Sequence, residues 1–240
     1  MIKGNNTLGG NYQMKRIVLF LLLFSLLLTA CSSVSAEEAP KTENFLEELA
    51  FLGDSITAHM AQRAEVRPTQ VLATKSRYLN LDPRILSTKL VAPDTGEEEL
   101  ITDLVARLRP KYLIITLGVD YGVYYYRNRP DSFRLCYEKL LNALSEASPN
   151  TRLVLQSVFP VARSSTVVKN EMIQGANEII RALADERALP FIDQYANLAD
   201  AEGYLPDEFC FSEDGIHLTA AAYDAILAHL KSMESEIKML

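Results

Sequence analysis

The chain has 240 residues, of which 48% are hydrophobic and 23% are charged, and this composition allows one sizeable globular core. Its formal net charge is −7 and the body of the chain has no Lys/Arg-rich run, which argues against nucleic acid or an anionic membrane surface as the main partner. Its three cysteines, Cys31, Cys136 and Cys210, match no metal-binding spacing, and we expect neither a metal nor a cofactor.

The N-terminus has the pattern of a targeting segment. Lys15 and Arg16 precede an apolar run over residues 17–28, and small residues follow it. A basic start, a short apolar stretch and small residues predict a secretory signal peptide over residues 1–30. The run is too short for a comfortable transmembrane helix. Met14 is an alternative start, because residues 14–16 open a complete signal by themselves.

The end of this segment, Leu28-Thr-Ala-Cys31, resembles a bacterial lipobox. That resemblance implies cleavage before Cys31 and a lipid on its thiol; the alternative is a simple secretory signal with an incidental cysteine. Cleavage would remove three positive charges and no negative charge, which leaves a net charge of −10. We therefore expect residues 31–43 to be a flexible tether that holds an acidic domain off the outer face of the cell membrane, with membrane contact through the lipid alone.

The two remaining cysteines would then lie outside the cytoplasm. A Cys136–Cys210 disulfide is possible there. The alternative is a buried thiol at Cys136, which has apolar neighbours in a helical pattern.

Residues 44–240 show alternating strand and helix patterns, with no internal repeat and no second linker, and predict a single α/β domain. The predicted strands span residues 49–52, 71–74, 112–117, 152–159 and 190–193. The predicted helices span residues 97–108, 133–147 and 167–187, and a last helix follows Thr219 as N-cap. Nearly continuous apolar strands indicate a parallel sheet covered by helices on both faces. In such sheets, ligands bind at the carboxyl ends of the strands.

Three polar segments are predicted to meet at that edge: Gly53-Asp-Ser55, Gly118-Val-Asp120 and Asp214-Gly-Ile-His217. A serine hydroxyl needs a base to take its proton, and a carboxylate orients that base. Of the three histidines, His217 fits best, because one short loop can present it together with Asp214. His229 lies inside the last helix, and His59 is expected to point away from the turn. We predict Ser55 as nucleophile, His217 as base and Asp214 as its partner.

The block Phe51-Leu-Gly-Asp-Ser-Ile-Thr57, the Gly118–Asp120 block and the Asp-x-x-His pattern at Asp214 to His217 resemble the SGNH (GDSL) hydrolase family over about residues 48–235. The α/β-hydrolase family fits less well, since its nucleophile elbow requires glycine where Thr57 stands. The resemblance implies a flavodoxin-like three-layer α/β/α fold, with a mainly parallel sheet, and ester hydrolysis through an acyl-serine. It also implies oxyanion or substrate contacts around Ser55 N–H, Gly118, the residue at position 120 and Asp54.

Two departures from the family pattern concern the oxyanion site. Position 120 carries aspartate where the family has an asparagine amide, and an ionised carboxylate donates no hydrogen bond. The stretch between Val71 and Pro93 has no glycine to supply a second donor, which leaves backbone near Lys75-Ser-Arg77 as a substitute. Loss of one donor typically costs about 10²–10³ in rate.

The aromatic run Tyr121-Gly-Val-Tyr-Tyr-Tyr126 allows two interpretations, a packed cover or a stacking surface for sugar rings or acyl groups.

Taken together, these patterns predict a monomeric, surface-anchored esterase or deacetylase for small-molecule or carbohydrate esters, with no nucleic-acid partner. The alternative is a catalytically weakened lipoprotein of the same fold that binds a ligand or partner.

Overall fold

The computed structural model describes residues 44–119, 121–211 and 213–239. The predicted signal peptide, Cys31 and the tether lie outside these residues, as does Asp120. Within the described part of the chain, no helix is both long enough and apolar enough to cross a membrane.

The centre of the domain is a parallel sheet built from β1 (Leu49–Gly53), β2 (Val71–Leu72), β5 (Tyr112–Thr116), β6 (Arg152–Gln156) and β7 (Phe191–Ile192). These strands lie in the order β2-β1-β5-β6-β7, and all neighbours are parallel. Every residue of β1 and β5 is buried, as their continuous apolar sequences predict. If the five strands of this sheet are numbered 1 to 5 along the chain, their order is 2-1-3-4-5, which is the flavodoxin-like order.

Helices cover both faces of the sheet in two groups. In one group, α2 (Ile101–Leu108) and α5 (Asn170–Glu186) pack against α4 (Pro130–Ala147). In the other, α1 (Ser55–Arg63) and α6 (Gln194–Leu198) pack against α7 (Ala220–Ser232). Short helices α3 (Val123–Tyr126) and α8 (Glu234–Met239) and four 3₁₀ turns (Phe45–Glu48, Pro68–Gln70, Ile85–Ser87 and Asp207–Phe209) complete the described elements. The predicted three-layer α/β/α class is confirmed.

One predicted helix is partly wrong. Residues 97–108 were expected to be helical throughout, but Glu98–Leu100 forms strand β4, which pairs antiparallel with β3 (Lys89–Val91). Helix α2 begins only at Ile101. The connection between β3 and β4 turns at Gly96, whose φ of 76° suits glycine. The hairpin is half-exposed, so it lacks the buried apolar run that marks the strands of the main sheet.

The other elements differ from their predicted bounds at their ends. Strand β6 stops at Gln156, short of the predicted residue 159, and α4 begins at Pro130, which occupies the first helical position. Thr219 caps α7 as predicted, with its Oγ1 accepting from Ala222 N at 3.4 Å. No disulfide joins the two described cysteines: Cys136 is buried, with Sγ 3.5 Å from Tyr126 Oη.

Candidate active site

The first strand ends at a point where only glycine fits. A Cβ on Gly53 would stand 2.0 Å from Thr57 Oγ1 and 2.4 Å from the carbonyl oxygen of Thr116 in β5. This close approach lets the chain turn from β1 directly into α1, with Asp54 as N-cap and Ser55 as the first helical residue. Ser55 therefore lies at the carboxyl edge of the sheet, beside the switch in strand order between β1, β2 and β5.

Asp54 joins this turn to the loop after β5. Its Oδ2 accepts hydrogen bonds from Gly118 N at 3.1 Å and Val119 N at 3.0 Å, and the residue is 2% exposed. A buried carboxylate needs such donors, and two backbone N–H groups supply them. Asp54 thus fixes the Gly118 loop against the start of α1, which is a structural contact; the predicted oxyanion or substrate contact stays a prediction.

The loop that carries His217 is shaped by Asp214 and Gly215. Asp214 Oδ1 accepts from Ile216 N at 2.8 Å and from His217 N at 3.2 Å, so the carboxylate folds its own loop. Gly215 has φ of 72°, a left-handed conformation that favours glycine, and its carbonyl accepts from Ala162 N. These bonds hold the acid and the histidine in one rigid turn ahead of α7.

The three residues predicted as a catalytic set are brought together. His217 Nδ1 lies 2.7 Å from Asp214 Oδ2, and His217 Nε2 lies 3.1 Å from Ser55 Oγ. An ionised carboxylate can only accept, so the Nδ1–H donates to Asp214. The neutral ring then has its lone pair on Nε2, which accepts from the Ser55 hydroxyl. This geometry allows His217 to take the hydroxyl proton during nucleophilic attack.

The expectation that His59 points away from the turn is wrong. Its ring centroid lies 4.9 Å from that of His217, with the planes inclined at 57°. Ser55 and His59 are four residues apart on α1 and hence lie on one face of the helix. Its Nδ1 is buried and has no hydrogen-bond partner among the described residues. Burial, and then the nearby His217, Arg63 and Arg77, lower the pKa of His59 to about 4.

Two backbone amides considered for the oxyanion site are already engaged. Gly118 N donates to Asp54, and Arg77 N donates to the carbonyl of Thr74 at 3.0 Å. The first amides of α1 have no carbonyl to bond within the helix, and the helix dipole favours a negative charge at that end. The start of α1 is therefore the part of the described site best suited to an oxyanion.

The aromatic run after position 120 divides between the two interpretations. Tyr126 is buried, whereas Tyr124 and Tyr125 are 42% and 43% exposed. Tyr121 stacks on Tyr125 with ring centroids 4.4 Å apart, and Arg129 lies over the Tyr125 ring at 4.6 Å. Tyr126 therefore packs into the core, whereas Tyr124 and Tyr125 form an exposed aromatic surface.

Comparisons with known proteins bear on the family and the fold. The profile of the GDSL-like lipase/acylhydrolase family matches residues 51–225, which include Ser55, Asp214 and His217. A GDSL-like lipase of Bacteroides thetaiotaomicron has a similar structure (20% identity, 80% of this chain and 89% of that chain covered, TM-score 0.52). So does a Bacteroides fragilis protein proposed to be an acylhydrolase (16% identity, 78% and 86% covered, TM-score 0.56).

No curated protein sequence matches the chain significantly. The two solved structures share less than a quarter of their residues with it, so they support the fold alone. The family profile covers well over half of the chain, and it spans the motifs from β1 to α7. The chain belongs to the GDSL-like lipase/acylhydrolase family.

Proposed function

We propose that the protein is an extracytoplasmic serine ester hydrolase, an esterase or deacetylase, that acts on short acyl esters. O-acylated carbohydrate is the substrate class that fits a lipid-anchored enzyme at the outer face of a bacterial membrane. The single observation that carries the catalytic part of the proposal is the continuous hydrogen-bond path from Ser55 Oγ through His217 to Asp214. The anchor rests on the sequence around Cys31.

In the proposed reaction, Ser55 Oγ attacks the ester carbonyl carbon while its proton moves to His217 Nε2. The carbonyl oxygen becomes an oxyanion that the amides at the start of α1 stabilise. The imidazolium returns the proton to the leaving alcohol as the C–O bond breaks, which leaves an acyl-serine. Water, deprotonated by His217, then releases the acid. Asp214 keeps the Nδ1 proton in place and balances the positive charge of the ring.

The test is hydrolysis of 4-nitrophenyl acetate by the purified protein and by Ser55→Ala. We expect the serine variant to lose at least about 10³-fold in kcat/KM, because no other group in the relay can form the acyl intermediate. A rate equal to that of Ser55→Ala would overturn the proposal. A matched control is Ser232→Ala, which removes an exposed hydroxyl at the end of α7 that donates to the carbonyl of His229.

A weaker candidate function is that of a binding lipoprotein with little catalysis. The observation in its favour is that the amides of Gly118 and Arg77 are both engaged, while position 120 carries a carboxylate. The same assay separates the two candidates: a binding protein would fold normally and show no turnover that depends on Ser55.

The anchor has its own test. In a bacterial host that processes lipoproteins, we expect Cys31→Ala to move the protein from the membrane fraction to the soluble fraction. Membrane association that survives this substitution would contradict lipidation at Cys31 and leave the catalytic proposal unaffected.

A further inference from the structure

One face of α1 carries three polar residues at four-residue intervals: Ser55, His59 and Arg63. Residues at this spacing lie above one another on a helix, so Arg63 lies about 12 Å along the axis from the Ser55 position. All three contact the loop that carries His217. Ser55 Oγ lies 3.1 Å from His217 Nε2, the His59 ring lies against the His217 ring, and Arg63 Nη1 donates to Leu218 O at 3.2 Å. The proposed nucleophile therefore shares one helix face with a cation.

The guanidinium of Arg63 lies over an exposed aromatic ring. Its Cζ is 3.5 Å from the ring centroid of Phe211, which is 56% exposed. Cation–π stacking uses the face of the guanidinium and leaves its N–H edge for in-plane hydrogen bonds. One of the edge nitrogens binds Leu218 O, and the rest of the edge is available to a planar two-oxygen acceptor.

A second guanidinium approaches from the loop after β2. Leu72 of β2 pairs with Leu52 of β1, so this loop leaves the sheet at the same edge as the turn to Ser55. Arg77 in that loop is exposed and left-handed, with φ of 66°. The charges of Arg77 and Arg63 both lower the pKa of His59, in keeping with the sheet edge that the two elements share.

Six of the thirteen described arginines form ion pairs with carboxylates, and Arg63 and Arg77 are among the seven that do not. Arg107, Arg134 and Arg163 each pair with two carboxylates. Neither Arg63 nor Arg77 takes part in any ion pair between described residues. In a chain with 31 acidic and 24 basic residues, two such cations beside the same site favour an anion from outside the chain.

We propose that Arg63 and Arg77 form an anion subsite next to the Ser55–His217 pair, and that the ester substrate carries a carboxylate. The subsite rests on the proposed ester hydrolase. A carboxylate suits the open edge of Arg63, because its two oxygens match the spacing of guanidinium N–H groups. The substrate class is thus an ester of a carboxylate-bearing alcohol or phenol.

The experiment measures binding of two ligands of nearly equal size, 4-acetoxybenzoate and 4-acetoxybenzamide, to Ser55→Ala, which cannot form the acyl intermediate. We expect the anion to bind about two- to fivefold more tightly, as is typical of a partly exposed charge pair. Addition of Arg77→Gln should reduce this preference, with Arg63 retaining the remainder, and about 0.5 M salt should reduce it further. Because both ligands are measured on the same variant, partial unfolding cancels in the ratio.

Arg77→Gly provides a second variant, since glycine adopts the left-handed conformation without strain while the charge is lost. Arg109→Gln is the matched control: Arg109 is also an exposed left-handed arginine, with φ of 47°, but it precedes β5 and so lies at the opposite edge of the sheet. The subsite is supported if only the Arg77 variants lose the preference. It is overturned if the two ligands bind equally to Ser55→Ala, or if Arg109→Gln causes the same loss.

The outcome is independent of catalysis. Turnover of the neutral amide-bearing ester by the protein with Ser55 intact tests the hydrolase proposal. Turnover without any preference for the anion would overturn the subsite alone. Tight anion binding without turnover would overturn the hydrolase proposal and leave the subsite as a binding site for carboxylates.

Discussion

Replacement of His59 by glutamine should change how the stability of the protein depends on pH. In the folded chain, burial of the ring lowers the pKa of His59 most, followed by the nearby His217, Arg63 and Arg77, whereas Asp214 raises it. The result is a pKa of about 4, against 6.5 for an ordinary histidine. The buried Nδ1 has no partner among the described residues, and this acts in the same direction, because none of those residues would accept a proton there.

The sign follows from proton binding. Between pH 6.5 and about 4, the unfolded chain holds a proton on His59 that the folded chain does not, so stability falls as the pH falls through this window. Above about pH 7.5 the residue is almost entirely neutral in both states, so it contributes almost nothing to the slope there. For a fully effective shift, the loss between pH 7.5 and 4.5 would be at most about 2.5 kcal/mol. Since the ring is partly exposed, water screens the interaction and we expect about 1–1.5 kcal/mol.

Urea unfolding followed by far-UV circular dichroism at pH 7.5 and 4.5 measures this, and the chain has no tryptophan to use as a fluorescence probe. The wild-type protein should lose about 1–1.5 kcal/mol more than His59→Gln over this range. His229→Gln is the control, because His229 is also partly buried but bonds Gln194 on the far side of α7. Parallel losses in wild type and His59→Gln would refute the reasoning. If the stability of His229→Gln depends on pH in the same way as that of His59→Gln, the effect comes from the removal of a histidine in general and not from the site of His59.

Three further predictions concern the site and its support. Asp214→Asn should lower kcat for an aryl acetate by roughly 10³–10⁴-fold with the fold intact by circular dichroism, since the amide would no longer fix the Nδ1 proton; a loss below about tenfold would contradict the relay. Gly53→Ala should lower the free energy of unfolding, measured with urea, by about 2–3 kcal/mol, because its Cβ would stand 2.0 Å from Thr57 Oγ1 and 2.4 Å from Thr116 O. A loss below about 0.5 kcal/mol would show that the turn can shift to make room for the methyl group. Asp120→Asn should raise the rate of ester hydrolysis if position 120 faces the oxyanion, and an unchanged or lower rate would give Asp120 another role.

The sheet and its functional edge could be predicted because their signals are local and strong. Five consecutive buried residues in β1 and in β5 give continuous apolar runs that few other structures would bury so completely. In a parallel sheet the carboxyl ends of neighbouring strands share an edge. This topology predicts that Ser55 and the Asp214–His217 loop lie close together. The relay was thus predictable from topology and residue chemistry.

The β3–β4 hairpin and His59 were not predicted, for different reasons. Glu98–Leu100 has charged and half-exposed residues, and its apolar positions continue the helical spacing of α2, so the pattern does not separate strand from helix. For His59, the spacing of four from Ser55 already placed both on one helix face, and that signal was available. The pattern of α1 alone does not show that the loop before α7 lies against this face of the helix.

The net negative charge of the chain and the two arginines beside Ser55 act on an anionic ligand over different distances. This difference affects the rates at which the proposed anion subsite binds and releases its ligand. At physiological salt the Debye length is about 8 Å, so the net charge of −7 is largely screened from a ligand already inside the site. Within that distance, the charges of Arg63 and Arg77 attract an anion and the carboxylate of Asp214 repels it. At low salt, the whole chain slows the approach of an anionic ester while the subsite strengthens its binding. Added salt should therefore raise the association rate constant of the anion, because it screens the repulsion by the acidic chain. It should also raise the dissociation rate constant, because it weakens the attraction by the two arginines. The two changes have opposite effects on affinity, so separate measurement of the two rate constants is needed to observe both.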